Sequence, residues 1–392
     1  LVDDHTITAR RIMIVAGEAS GDIYGADLAR EALLKNPELH FFGIGGARMR
    51  EAGVETLVDS AVMAVVGLVE VIKHFDVIAA AFTTLKKIIQ TSPPDLLILI
   101  DYPGFNLRLA KVAKKAGIKV LYYISPQIWA WRQGRVKKIA RLVDHMAVIL
   151  PFEAPFYEKA GVPVTFVGHP MLDLVTVTMD RDSAARSIGL DPSDKIVGLF
   201  PGSRRSELER LLPVIVASAA LLKKRFPQVQ FLLPLASTLA EQDILPQLDA
   251  AGLQVTMTRE RIHDVIRACD AIISVSGTVT LEIALVGTPM VIIYKLAPFT
   301  YQLAKHLVKV PNIGLCNIVA GETVVQELIQ DQANPENIAG EIGSLLADPV
   351  YHAGIVTKLG GVRAKLSHGG ASRRVAALAL DMCTAATTGS TP

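Results

Sequence analysis

Two carboxylates stand where apolar strands give out, the place where open α/β sheets hold their ligands. Glu18 lies in Gly17-Glu18-Ala19-Ser20-Gly21-Asp22 after the run Ile12–Ala16, and Asp101 opens Asp101-Tyr102-Pro103-Gly104-Phe105-Asn106 after Leu96–Ile100. An ionised carboxylate within hydrogen-bond reach can take a proton from a hydroxyl, and an apolar strand beside Asp101 would tune its pKa upward for that task. A cap for the following turn is an equally good reading of the Asp101 motif alone. Around Glu18, two glycines let a ligand approach the backbone at a helix start. A turn needs only one of Glu18 and Asp22 as its cap.

Further along, other groups suit an anionic ligand. Pro201-Gly202-Ser203-Arg204-Arg205-Ser206-Glu207 follows the run Ile196–Phe200 and precedes a helix, a turn whose N–H groups and guanidiniums fit a diphosphate. Two arginines at a helix N-terminus are unfavourable unless something anionic compensates them. After Ala271–Val275 come Ser276-Gly277-Thr278, then Glu282 one turn on, so Thr278 and Glu282 share a helix face where one can meet phosphate and the other ribose hydroxyls. Ser125 to Arg132 holds both tryptophans, Trp129 and Trp131, with Gln127 between them and Ser125, and Arg135, Lys137, Lys138 and Arg141 beyond. Taken alone, that segment reads as two core tryptophans on a solvated basic helix. His169 in Gly168-His169-Pro170 reads as a turn or hinge residue. No metal is expected: the one D-x-D, Asp180-Arg181-Asp182, is not at a strand end, and no His, Cys and carboxylate cluster has ligand spacing. Gly43-Ile44-Gly45-Gly46 fails the dinucleotide fingerprint because its third glycine would fall at Arg48, and no P-loop occurs.

The elements that must position these groups alternate between short apolar strands and amphipathic helices. One strand series comprises Ile12–Ala16, Phe41–Ile44, Leu96–Ile100, Val120–Ile124, His145–Ile149 and Val164–Val167. A second comprises Ile196–Phe200, Gln230–Leu233, Gln254–Met257, Ala271–Val275 and Met290–Tyr294. Apolar runs of this kind are buried on both faces, as in parallel doubly wound sheets, so the fold class is α/β with two Rossmann-like domains facing a cleft. The boundary falls in the strandless stretch 173–195, giving domains 1–172 and 196–364, with a C-terminal helix within 365–386 packing back on the first. Lys and Arg total 40 against 38 Asp and Glu, so nothing marks a nucleic-acid binder. Three scattered cysteines, Cys269, Cys316 and Cys383, suit buried free thiols in a reducing compartment. The mean hydropathy of +0.37 is high, yet no run is long enough to span a bilayer, and residues 1–11 lack a signal-peptide pattern; a cytoplasmic protein is expected.

With these segments together, and with Asn317 and Glu327-Leu328 added, nearly the whole chain resembles the lipid-A-disaccharide synthase family. The resemblance implies a GT-B fold and inverting transfer of 2,3-diacylglucosamine from UDP-2,3-diacylglucosamine to the 6-hydroxyl of 2,3-diacylglucosamine 1-phosphate, without metal or cofactor. It implies Asp101 as base with Glu18 as the second candidate, and Arg204 on the leaving group. It further implies UDP contacts from Gly202, Ser203, Arg204, Ser276, Gly277, Thr278, Glu282, Asn317 and Glu327, and acceptor contacts from Ser20, Asp22, Asn106, Gln127 and Trp129. Where many members have Pro before the Glu-Leu pair, this chain has Gln326. The rivals are another GT-B enzyme, epimerase-like or acting on a muropeptide, and a non-catalytic nucleotide-sugar binder. A homodimer is compatible with the reading. Ala61–Leu85 is too apolar for a surface loop. An ordinary core helix is its bland reading, but acylated substrates make an interfacial role for Val65, Val66, Leu68 and Val69 the expectation, against an anionic membrane at the inner face of the inner membrane.

Overall fold

The computed structural model describes residues 10–63, 75–131, 133–236, 238–296, 301 and 311–384, the side chains of Phe75 and Trp131 excepted. The chain forms two compact units, one running to Pro170 and resuming at His368, the other spanning Met171–Ser367.

Unit 1 is built on seven parallel strands: β1 (Arg11–Ala16), β2 (His40–Gly45), β3 (Glu55–Asp59), β4 (Leu96–Ile100), β5 (Lys119–Tyr123), β6 (His145–Val148) and β7 (Val164–Phe166). Their order is β3-β2-β1-β4-β5-β6-β7. Between them run α1 (Ala19–Lys35), α2 (Ala47–Glu51), α3 (Phe75–Thr91), α4 (Pro103–Lys115), α5 (Ile128–Trp131), α6 (Val136–Ile139) and α7 (Glu153–Glu158). β4 is Leu-Leu-Ile-Leu-Ile and buried throughout, as a central strand covered on both faces must be. The strand order reverses between β1 and β4, where Ala16 pairs with Ile100. The Glu18 and Asp101 loops therefore leave neighbouring strand ends at the topological switch point.

Unit 2 repeats the scheme. Its parallel strands are β8 (Ile196–Phe200), β9 (Gln230–Pro234), β10 (Val255–Thr258), β11 (Ala271–Val275), β12 (Met290–Tyr294) and β13 (Glu327–Ile329), in the order β10-β9-β8-β11-β12-β13. The helices are α8 (Met171–Leu174), α9 (Arg181–Ser187), α10 (Arg205–Arg225), α11 (Leu245–Ala250), α12 (Ile262–Ala268), α13 (Val279–Val286), α14 (Leu315–Ala320), α15 (Pro335–Ala347) and α16 (Pro349–Lys365). Its switch point lies between β8 and β11, where Phe200 pairs with Ser274.

The stretch 173–195 is folded against unit 2. Asp264 accepts from the Thr178 and Met179 N–H groups at 2.8 and 3.2 Å, and Arg181 reaches Asp270 at 2.7 Å. The last helix, α17 (Ala371–Thr384), belongs to unit 1 and packs on α1; Arg374 donates to the Val167 carbonyl at 2.8 Å. β3 and β13 are absent from the sequence expectation. Both are sheet edges, short and only half-buried, so they carry no continuous apolar run. Helix α1 begins at Ala19, inside the Glu18 motif, which puts Ser20, Gly21 and Asp22 in its first turn.

Candidate active site

At the unit 1 switch point the backbone is strained. Asp101, Tyr102 and Ile124 have φ of 44°, 45° and 64°, a left-handed region unfavourable for residues with a Cβ. The turn is held from several sides. The Asp101 N–H donates to the Tyr123 carbonyl at 3.0 Å, and the Asp101 carbonyl accepts from Asn106 Nδ2 at 2.7 Å and the Tyr122 hydroxyl at 2.5 Å. The Tyr102 ring lies over Gly17, where a Cβ would sit 2.5 Å from ring carbons, so position 17 must be glycine. Its hydroxyl donates to the Met63 carbonyl at 3.0 Å. These contacts fix a carboxyl that burial, then the Glu18 charge, raises to about 6, against a smaller lowering by the Tyr102 N–H.

The other unit 1 residues that the sequence singles out divide into two groups. Glu18, Ser20 and Gln127 are exposed. Asp22, Asn106 and Trp129, expected to contact the acceptor, are buried and committed within the fold. Asp22 accepts from the N–H groups of Gly46, Arg48 and Met49 at the start of α2. Asn106 is 0% exposed and holds the strand-end carbonyls of Ile100 and Asp101. Trp129 Nε1 donates to Glu153 Oε1 at 3.1 Å, and its ring meets Phe152 edge-on. His169 is buried, and burial pushes its ring down to about 4, so it is neutral at pH 7. Val65, Val66, Leu68 and Val69 lie outside the described residues.

Glu153 escaped the sequence reading, although it too follows a strand end. Its second oxygen accepts from the Leu150 N–H at 3.0 Å, and Ser125, whose hydroxyl lies 2.8 Å from the Tyr157 hydroxyl, completes a buried network under the 125–130 segment. Burial raises Glu153 to about 7, against lowering by its donors. The folded protein thus holds this proton more tightly than the unfolded chain does at its ordinary 4.5. The contribution is full below the unfolded value and is lost as pH rises through about 7; at 1.36 kcal/mol per unit the loss is about 3 kcal/mol. We expect the melting temperature to fall between pH 4.5 and about 7, and to fall less in Glu153→Gln, whose amide does not titrate in this range. Equal pH slopes in thermal melts of the two proteins would refute this role.

At the unit 2 switch point the β8–α10 and β11–α13 turns line a cavity of about 500 Å³. It brings together Gly202, Ser203, Arg204, Ser276, Gly277, Thr278 and Glu282, all named from sequence. Gly202 has φ of 99°, and a Cβ there would meet the Glu207 carboxylate. Glu207 accepts from the Ser203 and Arg204 N–H groups at 3.3 Å and pairs with the Arg204 guanidinium at 3.0 Å. Arg205 pairs with Asp243 at 2.7 Å. The two arginines thus already have internal carboxylate partners, and their position at a helix start does not by itself demand an external anion. Arg204 remains 60% exposed at its side chain; such a pair is worth at most about 1 kcal/mol, so a ligand phosphate can take it over.

Residues the sequence reading passed over complete this site. Thr258, Arg259, Glu260 and Ile262 form another part of the wall. His263 Nε2 stands 3.2 Å from Glu282 Oε2, while its Nδ1 accepts from the Thr176 N–H at 3.3 Å, which makes Nε2 the donor in the neutral ring. Asn317 and Glu327, expected to contact UDP, do not line the cavity. Glu327 accepts from Ile313 N–H, Gly314 N–H and Asn317 Nδ2 at 2.8 to 2.9 Å, and Asn317 Oδ1 accepts from the Val324 and Val325 N–H groups. They shape the loop whose Ile313 carbonyl accepts from Ser276 Oγ at 3.2 Å, one step behind the cavity. Among the described residues no group of three His, Cys, Asp or Glu side chains could hold a metal.

Comparison with known proteins converges on one family. The family model described as lipid-A-disaccharide synthetase matches residues 12–355. The lipid-A-disaccharide synthase of Trichlorobacter lovleyi is 72% identical over 373 residues, covering 95% of this chain and 97% of its own. That of Geobacter sulfurreducens is 64% identical over 375 residues, covering 96% and 98%. Among solved structures, UDP-GlcNAc 2-epimerase from Neisseria meningitidis bound to UDP-GlcNAc superposes with a TM-score of 0.65 at 15% identity, over 95% of this chain and all of that one. The calicheamicin glycosyltransferase CalG4 gives 0.59 at 14%, over 98% and 100%. At such identities these structures speak for the fold alone, and the fold is GT-B. The full-length identity decides the family: this chain belongs to the lipid-A-disaccharide synthases.

Proposed function

We propose that this glycosyltransferase transfers 2,3-diacylglucosamine from its UDP ester to the 6-hydroxyl of 2,3-diacylglucosamine 1-phosphate, releasing UDP and forming a β(1→6) bond with inversion. The observation that carries the chemistry is the Asp101 carboxyl, raised to about 6 at the switch point. That value leaves it ionised at pH 7 yet basic enough to take the hydroxyl proton as the oxygen attacks the anomeric carbon. The bond to the UDP oxygen breaks on the opposite side. Negative charge grows on UDP, and Arg204 with the N–H groups at the starts of α10 and α13 is suited to receive it. Ser203 and Thr278 are assigned to the phosphates and Glu282, oriented by His263, to the ribose. Asn317, Glu327 and Asp22 act as supports for the loops that bind. Glu18, exposed beside Asp101, remains the second candidate for the base.

Both substrates carry acyl chains, and each methylene taken from a bilayer into water costs about 0.8 kcal/mol, so the enzyme must work at the membrane surface. No helix among the described residues is long and apolar enough to cross a membrane. Peripheral attachment at the cytoplasmic face is the arrangement we infer, with Val65, Val66, Leu68 and Val69 as acyl contacts. Incubating purified protein with the acylated donor and acceptor should release UDP in step with disaccharide; UDP-sugar binding without turnover would leave a non-catalytic binder, and release of a free epimerised sugar would return the epimerase reading.

A further inference from the structure

Between residues 77 and 143 the sequence carries twelve lysines and arginines against two aspartates, Asp95 and Asp101, in a chain whose net charge is only +2. Much of this excess faces outward from the α3 and α4 layer. These helices pack side by side, burying Ala81, Leu85, Ile89, Leu109 and Ala110 towards the sheet. Their outer ends form a groove of about 580 Å³. Pro93, Val112 and Ala116 supply apolar surface over the buried Ile89, and the exposed Lys86, Lys111 and Lys115 stand around it. Lys114 nearby is neutralised by Asp144 at 2.6 Å, whereas Lys86, Lys111 and Lys115 have no ion pair among the described residues. Helix dipoles account for lysines in a last turn, such as Lys114 and Lys115. Lys86 stands more than a turn before the end of α3, so the dipole gives its charge no use.

We propose that this lysine-rimmed groove is a face by which unit 1 docks on an anionic bilayer, with lipid phosphates at Lys86, Lys111 and Lys115 and the glycerol and upper acyl region over the apolar surface. The inference rests on the membrane part of the proposed function and adds where the contact is made. A basic rim around apolar atoms fits an amphiphile better than it fits a nucleic acid, which would want stacking aromatics or a purely polar track. The groove is separate from the Asp101 turn and from the unit 2 cavity, so its lysines can be changed without touching the proposed chemistry.

The test compares the full chain with the triple variant Lys86→Gln, Lys111→Gln, Lys115→Gln in flotation with phosphatidylglycerol-containing and pure phosphatidylcholine vesicles. At about fivefold per lysine, partition to the anionic vesicles should fall on the order of a hundredfold at low salt, and the two proteins should converge as salt rises. Melting temperature and turnover on detergent-dispersed substrates should not change. Equal partition of the two proteins overturns the assignment, as does a variant defective only in binding duplex DNA or inorganic phosphate. If the unaltered protein ignores both vesicle types, the membrane reading itself fails, an outcome distinct from a variant that binds as well as its parent.

Discussion

Asp101→Asn is expected to keep the fold and the affinity for UDP while lowering turnover by about a hundredfold or more, the usual loss when a general base is removed. The amide can replace the carboxyl sterically, and what holds the turn is mainly the Asp101 backbone, through Asn106, Tyr122 and Tyr123. The pH profile sharpens the test. A base must be deprotonated to act, so kcat/KM should fall on the acid side with an apparent pKa near the carboxyl's value of about 6. Removing the Glu18 charge in Glu18→Gln removes one of the two effects that raise Asp101, so that limb should move to lower pH without a comparable loss in plateau rate. If Asp101→Asn turned over normally while Glu18→Gln did not, the assignments would reverse.

Arg204→Ala is the second large effect. Charge on UDP grows only as the glycosidic bond breaks, so a guanidinium placed on the leaving group is worth more in the transition state than in the ground state. Turnover should drop on the order of a hundredfold, with a smaller change in UDP affinity. The structure adds a complication that can be controlled. Glu207 now neutralises Arg204, and without Arg204 its carboxylate would face the diphosphate. Its link to the Ser203 and Arg204 N–H groups should hold it near the turn. Combining Arg204→Ala with Glu207→Gln therefore separates loss of the cation from gain of an anion. A double variant with normal single-turnover rates would remove Arg204 from the chemistry.

The two parallel sheets are legible in the order of apolar runs along the chain. Leu96–Ile100, Ile196–Phe200, Ala271–Val275 and Met290–Tyr294 coincide with the strands because a strand buried on both faces must be apolar without interruption. The loops after Ile196–Phe200 and Ala271–Val275 carry glycine and serine, small residues that let a ligand approach the backbone at a helix start. What the sequence could not decide was how each polar side chain spends its hydrogen bonds. Asp22 and Glu18 sit four residues apart in one motif, yet Asp22 is turned inward to three N–H groups of a segment 24 to 27 residues away, while Glu18 faces out. Trp129 donates its indole N–H to Glu153, and Asn317 and Glu327, expected from the sequence to meet UDP, are bound to each other and do not line the unit 2 cavity. A buried polar group must find a partner wherever the fold supplies one, and those partners are distant in sequence; the packed structure shows which carboxylates support the loops, and the reaction proposed above rests on one that does not, Asp101.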